Sequence, residues 1–244
     1  MIYTIGETVY DIIFKNNIPI DAKAGGAMLN TSVSLGRLNI PVALIGDYAN
    51  DKVGEIIESF LIENGVNTQY ITKYPVGKTR LALAFLDDEN NAEYSFYKLA
   101  INDNCKLSFP KVTKNDYILF GSFYAIKKEI RNELFEFLSH AKNNGAIIIY
   151  DPNFRTSHLD ILEEVIPMIQ ENIAISNIVK GSDEDFLNIF QLTNENEIYN
   201  KIKDFGCENL ILTKNKLGVS LFTPALQKNF KTPAIIPIST IGAG

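Results

Sequence analysis

The sequence predicts an α/β protein: helices cover both faces of a mostly parallel sheet, and a smaller β-sheet stands apart as a lid. Three observations carry this. Over most of the 244 residues, short apolar runs alternate with amphipathic helical patterns, as in parallel βαβ units. Between Asn67 and Lys98 the alternation stops, and strand-like segments follow one another with no helix between them. The stretch from Thr8 to Lys23 is equally helix-free. Together these two stretches, approximately residues 8–24 and 67–100, are expected to form the lid. No repeat, low-complexity tract or linker divides the chain, so one domain is expected over 1–244.

Taken in order, Ile2 to Ile5 reads as a buried first strand ended by Gly6. Thr8 to Phe14 is extended, is interrupted by Asn16-Asn17 and Pro19, and resumes to Lys23. After Gly25-Gly26, the residues Met28, Leu29, Val33, Leu35 and Leu38 recur at helical spacing, and Pro41 blocks continuation. Val42 to Ile45 is a strand. A helix capped by Asp51 follows, with Val53, Ile56, Ile57, Phe60 and Leu61 as its stripe and Gly65 as its end. Gln69 to Thr72, Thr79 to Leu86 and Glu93 to Lys98 supply the lid strands. Alternation resumes with strand Tyr117 to Phe120, a helix over Ile130 to Ala141 ended by Gly145, strand Ala146 to Tyr150, helix Leu159 to Glu171 and strand Ile173 to Ser176. Two short helices, Asp183 to Phe190 and Glu195 to Phe205, precede strands at Asn209 to Leu212, Gly218 to Phe222 and Ala234 to Ile236.

Composition narrows the function classes. Hydrophobic residues at 46% and charged residues at 21% suit a globular chain with a sizeable core. A net charge of −6 argues against a nucleic-acid groove or an anionic membrane surface as main partner, while leaving room for a local basic site. Cys105 and Cys207 are far apart and lack ligand spacing, so no disulfide framework or zinc site is expected. His140 and His158 are too isolated for a metal cluster, and His140 falls on the surface of a helix. The N-terminus lacks the basic and long apolar regions of a signal peptide, and no apolar run approaches a membrane span. A cytoplasmic protein is expected.

Candidate site residues cluster where strands end, the edge at which open parallel sheets gather ligands. Asp11 can accept hydrogen bonds from two adjacent hydroxyls, or be a solvated loop residue. Gly25 and Gly26 let a ligand approach the backbone at a helix start, with Asn30 adding an amide in the first turns; the alternative is a tight turn. Asp151-Pro152-Asn153-Phe154-Arg155 offers an anion, a fixed turn, an amide and a guanidinium suited to phosphate or carboxylate, or is a structural strand exit. Around Lys180, Ser182 and Asp185 make a capping box, and carboxylates there can also approach a phosphate-bound magnesium through water. Thr213 to Gly218 is a hairpin whose amides and hydroxyl can meet phosphates. Gly242-Ala243-Gly244 is a run of nearly bare backbone amides able to cradle a phosphate or developing oxyanion, or else a flexible tail. Neither the Gly-x-Gly-x-x-Gly fingerprint nor the Walker P-loop is found, which disfavours a nicotinamide dehydrogenase and a P-loop NTPase.

In this order, Gly25-Gly26-Ala27 through Asn30 to Leu38, Ile45-Gly46 through Asp51, Gly54 and Gly65-Val66, Asp151-Pro152-Asn153-Phe154-Arg155, the Lys180 segment, Thr213 with Gly218, and Gly242-Ala243-Gly244 resemble the ribokinase/pfkB family of sugar kinases. The Asp-Pro-Asn-x-Arg form and the Glu7 and Asp11 region look most like bacterial fructokinases and 2-keto-3-deoxygluconate kinases. The resemblance implies a three-layer αβα Rossmann-like domain with a β-lid, often shared in a homodimer, and ATP- and Mg2+-dependent phosphorylation of a sugar hydroxymethyl group. It implies sugar contacts at Asp11, Gly25, Gly26 and Asn30, and substrate or phosphate contacts at Arg155 and at Lys98 on the lid. It further implies nucleotide contacts at Asn153, Lys180, Thr213 and Gly218, a water-mediated metal contact at Asp185, and an anion hole at Gly242, Ala243 and Gly244. Ser239 stands where the family pattern has its first Asp, which puts a monovalent-cation site in doubt. The family's catalytic Asp falls directly after Gly244, where the sequence stops, so the chain is expected to be incomplete at its C-terminal end. Alternatives kept open are a nucleoside kinase of the same fold and an inactive sugar-binding or regulatory module. Exposed Tyr94, Phe96 and Tyr97 on the lid point to a homodimer through it, or to packing over the sugar.

Overall fold

The computed structural model describes residues 1–87, 92–97 and 106–233. These fall into two compact units, one up to Pro110 and one from Lys111. The first holds β1 (Ile2–Ile5), β2 (Val9–Lys15), β3 (Ile18–Gly25), α1 (Ala27–Arg37), β4 (Val42–Ala49), α2 (Lys52–Glu63), β5 (Val66–Asn67), β6 (Ile71–Tyr74), β7 (Leu81–Leu86) and β8 (Ala92–Tyr97). β4 is buried along its whole length and runs parallel to β1, β5 and β6. That is the environment its apolar run Val42-Ala43-Leu44-Ile45 predicts. α1 and α2 place Leu29, Ile57 and Leu61 in the core with essentially no exposure. α2 lies close enough that a Cβ on Gly54 would come within 2.2 Å of the Ala49 carbonyl oxygen.

The separate sheet has the order β3-β2-β7-β8. β2 pairs antiparallel with β3 and parallel with β7, and β7 pairs antiparallel with β8. The lid therefore starts later in its second half than expected. β5 and β6 belong with β4, because Val66, Ile71 and Tyr74 bury their side chains there rather than in the small sheet.

The second unit holds β9 (Tyr117–Gly121), α3 (Arg131–Asn143), β10 (Ile147–Asp151), α4 (Leu162–Ile175), β11 (Ile178–Ser182), α5 (Asp183–Phe190), α6 (Glu195–Asp204), β12 (Leu210–Thr213), β13 (Val219–Phe222) and β14 (Gln227–Phe230). β9, β10, β11 and β12 are parallel neighbours, and β13 and β14 extend this sheet antiparallel. Leu134, Leu138 and Ala141 put one face of α3 into the core. The strand expected at Ile173 to Ser176 is instead the end of α4; its short apolar run fits a buried helix turn as well as a strand. β14, fully exposed along Gln-Lys-Asn-Phe, gave no apolar signal. Among the described residues no helix is long and apolar enough to cross a membrane.

Candidate active site

In the first unit the site is built where β2 and β3 meet α1. Asp11 lies on β2 between Lys23 of β3 and Ala82 of β7, and its side chain is 9% exposed. Burial pushes its carboxyl up to about 6, against a smaller downward pull from Lys23. The carboxylate sits over Gly25, where a Cβ would fall 2.2 Å from Asp11 Oδ2; the missing side chain is the space Asp11 occupies. Gly26 caps α1 with φ near 122° and faces the Glu7 carbonyl oxygen, which a Cβ would approach to 2.3 Å. Only glycine is at ease there. Asn30 closes the first turn, its N–H donating to the Gly26 carbonyl at 2.9 Å, and its side chain is half-buried. Asp11, Gly25, Gly26 and Asn30 therefore share one end of the unit: a carboxylate, two glycines whose side-chain space is taken by Asp11 and the Glu7 carbonyl, a helix start and an amide.

Register places Phe96 opposite Ala82 and Tyr94 opposite Ala84. Both aromatics thus share the face of the lid that carries Asp11, and their rings stack at 5.9 Å. Tyr97, 59% exposed, belongs to the reverse face. Lys98, Cys105, the strand expected at Ala234 to Ile236, and Gly242, Ala243 and Gly244 lie outside the described residues.

In the second unit, strand ends again collect the marked residues. Lys180 Nζ on β11 reaches Asp151 Oδ2, at the end of β10, at 2.7 Å. Burial raises the Asp151 carboxyl, and Lys180 draws it part of the way back. Beyond β10, Asn153 takes a left-handed φ of 41° and its Nδ2 donates to Ser122 Oγ at 3.4 Å. Arg155 is exposed. Thr213 ends β12 opposite Ser182, its Oγ1 donating to the Gly181 carbonyl at 3.3 Å. Gly218, at φ 100°, lies against the Phe230 carbonyl, which a Cβ would meet at 2.0 Å. Asn215, at φ 48°, uses the tolerance of Asn for left-handed backbone.

The cap expected around Asp185 is formed: Ser182 and Asp185 make the capping box. Asp185 Oδ2 accepts from the Ser182 N–H and Oγ, both at 2.7 Å, and Oδ1 accepts from the Phe154 N–H at 2.6 Å. The carboxylate is thus committed to the protein and pins the loop that presents Arg155. Among the described residues no three His, Cys, Asp or Glu side chains gather to hold a metal. These residues do not make a magnesium cage, and an ion arriving on nucleotide phosphates would keep water in most of its positions.

A model of the pfkB family carbohydrate kinases matches residues 1–244. The chain belongs to this family. Among curated relatives, the fructokinase of Vibrio alginolyticus is 24% identical over 245 residues, spanning 100% of this chain and 80% of that protein. Among solved structures, the fructokinase of Vibrio cholerae O395 with bound fructose, ADP and calcium superposes at a TM-score of 0.87 with 22% identity, covering 100% of this chain and 80% of that one. The aminoimidazole riboside kinase of Salmonella enterica, complexed with aminoimidazole riboside and an ATP analogue, gives 0.83 at 18% identity, covering 98% and 79%. At such identities the structural likeness shows the fold: this pfkB chain is a ribokinase-like α/β protein with a small separate sheet.

One constellation escaped sequence reading. Arg80, just before β7, is buried between Glu7 and Asp47. A lone Arg near the start of the expected strand Thr79 to Leu86 gives no motif signal, and both its partners are distant in sequence.

Proposed function

We propose that this pfkB-family chain is an ATP-dependent sugar kinase of fructokinase type, transferring the γ-phosphoryl group to a hydroxymethyl group of a small sugar. The observation that carries it is the buried Asp11 carboxylate over Gly25, beside the Gly26 start of α1. A carboxylate accepts from two sugar hydroxyls at once, and two sugar hydroxyls replace the water that burial has stripped away. Asn30 adds a donor and an acceptor, and Tyr94 and Phe96 supply apolar faces on the same side of the lid.

For the nucleotide, Asn153, Lys180, Thr213 and Gly218 are assigned to the phosphate and base side, with Arg155 on the transferring group. Arg155 presents a planar fork to phosphate oxygens. Lys180, held by Asp151, keeps its charge in place before a nucleotide binds. The anion hole is assigned to Gly242, Ala243 and Gly244. Lys98 is assigned to the lid side of the substrate. Magnesium enters with ATP and supplies charge neutralisation on the phosphates. Phosphoryl transfer asks the protein mainly for positioning and electrostatic stabilisation, which is what these groups offer. A homodimer through the lid and a cytoplasmic location complete the proposal.

The test is ADP release by protein expressed from its complete reading frame, with Mg-ATP and a panel of fructose, 2-keto-3-deoxygluconate, ribose and nucleosides. Turnover with fructose supports the proposal, and turnover confined to nucleosides replaces it with a nucleoside kinase. Sugar binding without turnover against any acceptor leaves a binding module.

A further inference from the structure

Both points at which the chain enters the lid fasten on one residue of β4. Before β2, Thr8 Oγ1 donates to the Asp47 carbonyl at 2.9 Å. Before β7, Arg80 donates from Nη1 to the same carbonyl at 3.3 Å and from Nη2 to Asp47 Oδ2 at 2.6 Å. Arg80 Nε lies 2.9 Å from Glu7 Oε1 as an ion pair without hydrogen-bond alignment, and the Arg80 side chain is 4% exposed. Thr79 is tied down as well, its N–H and Oγ1 reaching Asp51 at 3.0 and 2.7 Å.

Each arm of this clamp leads to the acceptor end of the unit. The Glu7 carbonyl lies against Gly26. The Arg80 carbonyl accepts from the N–H of Tyr10, the residue before Asp11, at 3.0 Å. We propose that Arg80 is a positioning residue for the sugar site: by bridging Glu7 and Asp47 it fixes the root of the lid so that Asp11 and Gly26 face the same sugar. A buried charge cluster is weak evidence for stability, and its use is to hold one arrangement. Arg80 is the residue type for it, because its planar guanidinium directs two hydrogen bonds at Asp47 while its charge faces Glu7, which an ammonium does not reproduce.

This rests on the acceptor site proposed above. The test is calorimetric titration of wild type, Arg80→Lys and Glu7→Gln with the best-bound sugar of the panel, and in parallel with a non-hydrolysable ATP analogue. Both variants keep the shape of the cluster and weaken its directionality. The expected result is wild-type circular dichroism, ATP-analogue affinity within about twofold, and sugar affinity lower by about tenfold or more. Sugar affinity within about twofold of wild type overturns the proposal. So does equal loss for sugar and nucleotide, or failure of both variants to fold, since each points to a merely structural role. Wild-type protein that binds no panel sugar overturns the acceptor site itself, and the positioning role with it.

Discussion

In the proposed function sugar binding turns on Asp11, and the burial of this residue makes two opposite predictions. With the folded-state carboxyl near 6 and the ordinary value at 3.8, the folded protein binds more protons than the unfolded chain between those values. Stability of the free protein therefore declines as pH rises through that window and is flat above it. Sugar binding runs the other way, because the ionised form is the better acceptor. Fructose affinity should weaken roughly tenfold between about pH 7.5 and pH 5, measured by calorimetry. Asp11→Asn should cost roughly ten- to a hundredfold in sugar affinity, since hydrogen bonds to a charged group are worth about 1.5–3 kcal/mol. The thermal midpoint at about pH 8 should not fall, because a buried charge has been removed. Gly25→Ala tests the same contact from the other side. Its Cβ would come within 2.2 Å of Asp11 Oδ2, so the variant should fold, with the carboxylate turned away and sugar affinity reduced.

At the scale of elements, Asp51 both caps α2 and holds the approach to β7. Its Oδ1 accepts from the Gly54 N–H at 2.9 Å and from Thr79 Oγ1 at 2.7 Å. Burial works to raise its carboxyl, but the hydrogen bonds from Thr79 and Gly54 outweigh it and hold the group below the ordinary value. Asp51→Ala should lower stability in urea by about 1–2 kcal/mol for the cap. The gap between the proteins should be full above the ordinary carboxylate range and close as pH falls through the folded-state value. This cap was legible because its signal is local, as was the Ser182–Asp185 capping box. The alternation of strand and helix was legible from the periods of α1, α2 and α3. What was not legible depended on contacts far apart in sequence. β6 joins β4 rather than the lid, β11 begins at Ile178 after α4 takes the preceding apolar run, and Arg80 finds Glu7 and Asp47 across 73 and 33 residues. The marked site residues Asp11, Gly25 and Gly26 could be named from sequence, yet their mutual contact could not, because it is set by the pairing of β2 with β3.

For the molecule as a whole, β8 forms one edge of the lid sheet. Tyr94, Phe96 and Tyr97 are 40%, 51% and 59% exposed along it, and an exposed apolar edge strand is a template for pairing with a second chain. Light scattering at assay concentration should give a homodimer, and Tyr97→Lys, on the face away from Asp11, should shift it toward monomer; a wild-type monomer would remove the dimer. Family membership supports a sugar-kinase function, and Asp11 is the sugar contact proposed for it. The most direct check is the fructose dependence of ADP release from Mg-ATP, at about pH 7.5, by wild type and Asp11→Asn expressed from the complete reading frame. Fructose-dependent release with a KM raised roughly ten- to a hundredfold in the variant is the predicted result. Absence of sugar-dependent ADP release in the wild type, or the same KM in both proteins, would contradict it.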